Sequence, residues 1–408
     1  MIYLDHAAAT PVLPAALKAM TPYFTEQFFN PSAPYLPAKR VREAYQAAKD
    51  TIAHTIGAKG ADLIITAGAT ESINLAFTAC RHRALVLATE HTAVLAAAAP
   101  HHATLIPVTR TGLIDLTAFR KLLTDEVDFV SVSLANNELG TIQPLAEISA
   151  LIRAARADRL ARGLTTPLYL HSDASQALSL LDLNVARLGV DLFTINAAKC
   201  GGPKGVGALY QAHGVPLQAL TLGGGQERGL RSGTENVPGV IGFAVAAADA
   251  KRHLGTHRKL YQTLNSRFRQ ALTRELAALG LPAPLFLGHP KHQLVNFCPV
   301  SFPGLDAERL IYRLEAQEIY LSTGAACAAN KGTKSHVLTA IGLSDSEIAG
   351  SLRLSFGAAN TLDQAEPAAQ ALAAAVAAEA ARQQCTTPAT AQSVTPAAST
   401  ARQESRHA

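Results

Sequence analysis

Short apolar runs alternate with amphipathic stretches through the middle of the chain. Leu63–Thr66, Ala84–Ala88, Asp128–Leu134, Leu168–Asp173, Leu192–Asn196 and Ala208–Gln211 are rich in Leu, Val and Ile and read as buried strands. Between several of them, Glu71–Cys80, His91–Ala99, Leu116–Leu123 and Leu145–Leu160 read as helices. Strand–helix alternation over this length predicts a mostly parallel sheet covered on both faces. Ligands of such folds sit outside the carboxyl ends of the strands, so chemistry is expected just after each strand.

Beyond Gly233 the pattern changes. Val237–Leu279 predicts two long helices, Val295–Phe302 a strand and Asp306–Glu318 a helix. Ser344 and Glu347 form an S-x-x-E capping box before another helix, Leu352–Phe356 reads as a strand, and Thr361 with Gln364 opens an Ala-rich helix to about Gln383. The expected organisation is a large α/β domain over 14–255 and a smaller α+β domain built from 1–13 and 256–383. Residues 384–408 are rich in Thr, Ala, Ser and Pro and predict a disordered tail, because they hold too little apolar surface to offset ordering entropy.

Of the 408 residues, 48% are apolar, enough for a sizeable core. Lys and Arg number 36 against 31 acidic residues, and this mild excess is scattered, which gives no reason to expect direct nucleic-acid or membrane-surface binding. The start, MIYLDHAAATP, lacks the basic and apolar regions of a signal peptide, and uncharged apolar runs are short, so a cytoplasmic protein is expected. The five cysteines are far apart and include no C-x-x-C, which argues against a disulfide framework and against a zinc site; no metal is expected.

Polar groups at the strand ends are more telling. Ala67-Gly68-Ala69-Thr70-Glu71-Ser72 leads from a strand into a helix and presents free amides beside small side chains, an anion site or, taken alone, an ordinary helix start. His91 and the Asn136–Gly140 turn say little by themselves. Asp173 ends a core strand, where a carboxylate needs a partner. Lys199 closes another strand just before a glycine-rich turn, and a desolvated lysine there is suited to a Schiff base with a carbonyl compound. An anion cradle, a buried carboxylate and such a lysine are what a pyridoxal 5'-phosphate site requires: one end for the phosphate, one amine for the aldehyde, one carboxylate for the ring nitrogen.

Residues 2–360 resemble the cysteine desulfurases with a long catalytic loop, of the class V aminotransferase superfamily. The signatures are YLDHAAATP from residue 2, TAGATESINLA at 66–76, TEHTAVL at 89–95, NNELG at 136–140, DASQA at 173–177, GGGQERGLRSGTENVPG at 223–239, STGAAC ending at Cys327, and LRLSFG at 352–357. The resemblance implies a fold type I pyridoxal phosphate enzyme with a seven-stranded-type sheet. It implies Lys199 as the Schiff-base lysine, Asp173 on the ring nitrogen, Gln176 on the ring's phenolate oxygen and His91 stacked on the ring. Ala69, Thr70 and Asn196 then belong to the phosphate site, with Thr234 contributed by the other subunit of a homodimer. Asn137 and Arg353 would hold the carboxylate of L-cysteine, a task suited to the planar guanidinium fork.

Cys327 sets the expected reaction. A transaminase needs no thiol in that run of small residues; a desulfurase uses the thiolate to take sulfur from cysteine, leaving L-alanine and an enzyme persulfide for a sulfur-acceptor protein in iron–sulfur cluster assembly, tRNA thiolation or a related pathway. Lys331 and Lys334 are candidates for lowering its pKa, while Cys200 and Cys298 read as core residues. Two departures stand out: Asn196 and Ala198 replace a Ser and a His that usually serve the cofactor phosphate. A selenocysteine lyase, an aminotransferase of the same fold and a degenerate non-enzymatic relative stay open as alternatives.

Overall fold

The computed structural model describes residues 1–323 and 334–386, with side chains as far as Gln383. In chain order the strands are β1 (Ile2–Tyr3), β2 (Leu63–Thr66), β3 (Arg83–Leu87), β4 (Thr104–Ile106), β5 (Val127–Ser131), β6 (Tyr169–Asp173), β7 (Leu192–Asn196), β8 (Gly207–Gln211), β9 (Leu285–Phe286), β10 (Phe297–Ser301), β11 (Ile319–Tyr320), β12 (Ser322–Thr323) and β13 (Ser351–Ser355). Seven of them form one sheet in the order β2-β8-β7-β6-β5-β3-β4. Only β8 runs against its neighbours, so the carboxyl ends of β2, β3, β5, β6 and β7 share one side of the sheet. The mostly parallel sheet expected from the apolar runs is present. The short β4, at the sheet edge beyond β3, was not expected; three residues with only Ile106 fully buried give no strong periodic signal.

A second, antiparallel sheet has the order β12-β13-β10-β9, and β1 pairs in parallel with β11. Leu4, Ala7, Phe268, Phe297, Leu310, Leu354 and Phe356 belong to the core beneath it, whereas Val41, Ile52, Phe119, Val130, Phe193 and Phe243 belong to the core of the large sheet.

The two helices expected over Val237–Leu279 are a single helix of 42 residues, Val237–Ala278. Asn236 caps it by accepting from the Gly239 amide at 3.0 Å, and Pro238 suits its first turn. At 1.5 Å per residue it reaches about 63 Å. Its first half sends Val240, Phe243 and Ala247 into one core, and its second half sends Leu264, Phe268 and Leu272 into the other. The exposed polar stretch around Gly255 does not break it, since Gly inside a helix costs only ~1 kcal/mol. Burying an apolar side chain returns ~1.5–3 kcal/mol, and both ends bury several. The capping boxes at Ser344/Glu347 and Thr361/Gln364 are both formed. No helix among the described residues is long and apolar enough to cross a membrane.

Candidate active site

One cavity of about 620 Å³ opens at the carboxyl ends of the large sheet, lined from five strand ends: Ala69 and Thr70 after β2, His91 after β3, Asn137 after β5, Asp173 and Gln176 after β6, and Asn196 and Lys199 after β7. Eight residues singled out along 130 positions of sequence thus face one space. Among the other expected residues, Thr234 is exposed and does not line this cavity in its own chain. Arg353 lies behind Asn137, and Cys327 lies outside the described residues.

The helix Ala69–Phe77 begins at Gly68 with no side chain capping it, so its first amides are left for another acceptor. Asp115, Asp306 and Ser344 each cap the helix that follows them, whereas Leu36–Thr55 and Leu145–Ala161 also start uncapped, so the missing cap points to a ligand only together with the open cavity in front of it. Space around the turn is set by glycines. A Cβ on Gly207 would stand 2.8 Å from the Gly68 Cα, so β8 and the turn touch backbone to backbone. On Gly68 itself, at φ +149°, a Cβ would meet nothing within 4 Å. The turn is closed from behind and open in front. Asn196, at the adjacent strand end, keeps its Oδ1 buried without a partner, and an amide turned the other way offers two donors at that spot.

Asp173 is buried, and Ser175 satisfies one of its oxygens twice: the amide donates at 2.9 Å and the hydroxyl at 2.5 Å, both to Oδ1. Oδ2 is left for the cavity that the residue lines. Gln176 donates from Nε2 to the Ala7 carbonyl at 3.0 Å, which fixes its amide plane. His91 caps the helix Thr92–Ala98 by accepting the Ala93 amide on Nδ1 at 3.1 Å. Nδ1 therefore carries no proton and the neutral ring has its N–H on Nε2. Burial pushes the His91 pKa down, the charges of Lys199 and His336 add to that, and Asp173 opposes it. A cation, a ring held neutral, a shielded carboxylate and an uncapped helix start together fit pyridoxal phosphate. Ala198 is the misfit, since a methyl group donates nothing.

Arg353, on β13, is already engaged. Its Nη2 pairs with Asp5 Oδ1 at 2.6 Å and its Nη1 donates to the Asn137 carbonyl at 3.1 Å, while Nε is buried without a partner. Asp5 was not foreseen; it is 348 positions away, and the pairing of residues 4–7 with Ser355 brings it close.

Other contributors also escaped the sequence reading. Glu90, just before His91, is fully buried. One oxygen accepts from the Ser133 amide at 2.6 Å, the other has no partner, and burial together with Asp173 pushes its pKa up to about 8. Glu138 is buried too; desolvation raises it to about 7 against the donor Ser335, whose hydroxyl reaches it at 2.6 Å. His336 Nε2 meets the Glu90 carbonyl at 2.8 Å. The E-H pair at 90–91 and the S-H pair at 335–336 were the available signals, but neither spacing tells which residue turns inward.

The remaining described thiols are inert. Cys200 and Cys298 are core residues whose pKa burial pushes up to about 12 and about 11. Cys80 is buried and donates to Asp128. Lys334 pairs with Asp345 at 2.7 Å rather than standing as an unpaired cation.

Known proteins share this architecture. Residues 2–367 match the aminotransferase class V family model. The cysteine desulfurase IscS 1 of Archaeoglobus fulgidus is 36% identical over 373 residues, covering 88% of this chain and 93% of its own. The solved structure of a NifS-like protein superposes with a TM-score of 0.82 at 29% identity, over 91% of this chain and 98% of the other. A structure described as SspA in complex with cysteine matches with a TM-score of 0.71 at 27% identity, over 87% of this chain and 99% of that one. The chain belongs to the class V aminotransferase family, and within it to the cysteine desulfurases of the IscS and NifS kind.

Proposed function

We propose that this protein is a pyridoxal phosphate-dependent cysteine desulfurase that converts L-cysteine to L-alanine and holds the sulfur as a persulfide on Cys327. The observation that carries the reading is the single cavity uniting Lys199, Asp173, His91, Gln176 and the uncapped start of the helix Ala69–Phe77. When bound, the cofactor supplies an electron sink that lets the substrate's bonds at and beyond its α-carbon be broken. The chain supplies the rest. Lys199 would hold the cofactor's aldehyde and carry a proton at Nζ, the amides of Ala69 and Thr70 and the Asn196 side chain would take the phosphate, and Asp173 would hold a proton on the ring nitrogen. His91 would cover the ring face with its proton on Nε2. Gln176 would bond the phenolate oxygen, and Asn137 with Arg353 would orient the carboxylate of cysteine. The Cys327 thiolate attacks the substrate sulfur, so a carbon–sulfur bond breaks as a sulfur–sulfur bond forms, and the carbon left behind takes up a proton to become the methyl group of alanine.

The exposed Thr234 fits a homodimer in which it reaches the neighbour's phosphate. The division into 14–255 and 1–13 with 256–383 fits the two cores, with the long helix bridging them. We place the protein in the cytoplasm, passing sulfur to an acceptor protein for cluster assembly or thiolation. The test is direct: protein incubated with pyridoxal phosphate should acquire visible absorbance and form alanine from L-cysteine. A colourless protein that yields no alanine contradicts the proposal, and amino transfer without sulfur release would reassign it to a transaminase.

A further inference from the structure

The loop 223–236, between β8 and the helix Val237–Ala278, runs over the surface but is pinned by a carboxylate that points inward. Glu227 has a side chain only 6% exposed. Its Oε1 accepts from the Tyr45 hydroxyl at 2.7 Å, and its Oε2 accepts from Lys49 Nζ at 2.7 Å and from the Ile65 amide at 2.8 Å. Ile65 lies on β2, the edge strand of the large sheet, so the carboxylate caps an edge amide that no neighbouring strand reaches. To make this reach, Glu227 and Arg228 both adopt left-handed backbone, with φ +47° and +61°. Two consecutive non-glycine residues in that region are strained and persist only where the surroundings over-determine them.

That strain has a destination. The next residue back, Gln226, accepts the Gly233 amide on Oε1 at 3.0 Å, immediately before Thr234. The rigid point at Glu227 is therefore passed across the loop to the base of Thr234. On the other flank, Arg231 Nε donates to Glu71 at 3.0 Å, and Glu71 also accepts the Ala67 amide at 2.6 Å. The loop thus also touches the phosphate turn of its own chain.

We propose that Glu227 is a positioning residue for the cofactor site of a second copy of this chain: anchored on Tyr45, Lys49 and Ile65, it fixes Gln226 and thereby holds Thr234 in place against the neighbour's phosphate. The inference rests on the proposed homodimer, and mixed dimers test the two separately. In both arrangements one subunit carries Lys199→Ala, so that only the other subunit's site can give the absorbance band of the lysine–cofactor Schiff base. In the first, Glu227→Gln lies on the Lys199→Ala subunit, and the reporting site receives Thr234 from the altered loop. In the second, Glu227→Gln lies on the reporting subunit, whose site receives Thr234 from an intact loop.

Cofactor titration of the apo-dimers should show dissociation constants raised roughly tenfold in the first arrangement, the scale of one hydrogen bond to a charged group, and nearly unchanged in the second. Equal effects in the two, or weakening confined to the second, would overturn the proposal. Thr234→Ala in place of Glu227→Gln separates the readings. If it too is silent in the first arrangement, the cross-subunit contact itself is wrong; if it acts there and Glu227→Gln does not, the dimer stands and the role of Glu227 falls. Gln226→Ala leaves the buried Lys49–Glu227 pair intact, so it decides the matter should Glu227→Gln not fold: weakening in the first arrangement supports the proposal, and its absence refutes it.

Discussion

The two walls of the site are prepared in different ways. On the large-sheet side, polar groups are left unspent: the first amides of the helix Ala69–Phe77 have no side-chain cap, Asn196 Oδ1 has no partner, and Asp173 keeps one oxygen for the cavity. On the small-sheet side, Arg353 has already spent its guanidinium on the Asp5 carboxylate and the Asn137 carbonyl. The side proposed for the cofactor keeps both donors and acceptors unspent, whereas the side proposed for the substrate is held by an internal carboxylate that resembles the substrate's own. On the proposed role, an incoming carboxylate would have to draw on an Arg353 that is already engaged and whose unpartnered Nε is buried.

The largest expected effect falls on the cofactor wall. Lys199→Ala should abolish the absorbance band of the lysine–cofactor Schiff base and the formation of alanine, because Lys204, beyond the glycine turn, is exposed and does not line the cavity. An undiminished band would remove Lys199 from its assigned role.

The substrate wall should respond in two ways to one substitution. Arg353→Ala should weaken L-cysteine binding by ~1.5–3 kcal/mol, read as a raised KM with cofactor affinity kept. It should also lower stability by up to ~3 kcal/mol, because the largely buried Asp5 loses its partner. Adding Asp5→Ala should recover much of the stability and none of the substrate affinity. Recovery of both would mean that Arg353 only neutralises Asp5.

Ala198→His tests the gap in the cofactor wall. A restored imidazole donor should tighten pyridoxal phosphate by roughly ten- to a hundredfold, as for one charge-assisted hydrogen bond. Equal dissociation constants in a cofactor titration would show that Asn196 or another group already fills the place.

The smallest effect concerns Glu90. Its folded pKa of about 8 lies above the ordinary carboxylate value of 4.5, so over that interval the folded state binds a proton that the unfolded state has lost. Stability should therefore fall as pH rises toward 8. The buried His171, pushed down to about 4 by desolvation, acts in the opposite sense but only below 6.5. Between pH 6.5 and 8 the urea midpoint of the apo-protein should therefore drop, partly through Glu138 up to about 7, and Glu90→Gln should flatten the upper part of that drop. A slope unchanged by Glu90→Gln would mean that Glu90 is ionised in the fold.

What was legible in the sequence follows from range. Strand ends announce themselves locally, since a polar residue that closes an apolar run sits at the rim of the sheet, and so Asp173 and Lys199 could be read directly, whereas Asn196 was singled out only by the resemblance. Partners arriving from elsewhere in the chain leave no such mark. Asp5 meets Arg353 across 348 positions, and Glu227 meets Lys49 across 178. Local patterns also misled where one element serves two cores: the polar middle of Val237–Ala278 is the exposed span of one helix, not a loop between two. The turn at 67–72 was ambiguous for a related reason, because an ordinary helix start and an anion site share one sequence, and what favours the second is the uncapped start at Gly68 together with the cavity it faces.

The central claim is that sulfur leaves L-cysteine for Cys327. A single turnover of cofactor-loaded protein with L-cysteine, without reductant, should give alanine in step with protein and a Cys327 peptide heavier by one sulfur atom in the mass spectrum. The Cys327→Ser protein should bind cofactor and cysteine normally and release no sulfur, because a protonated hydroxyl is a poor nucleophile toward sulfur. Full alanine formation by Cys327→Ser, or sulfur found on another cysteine, would contradict the account.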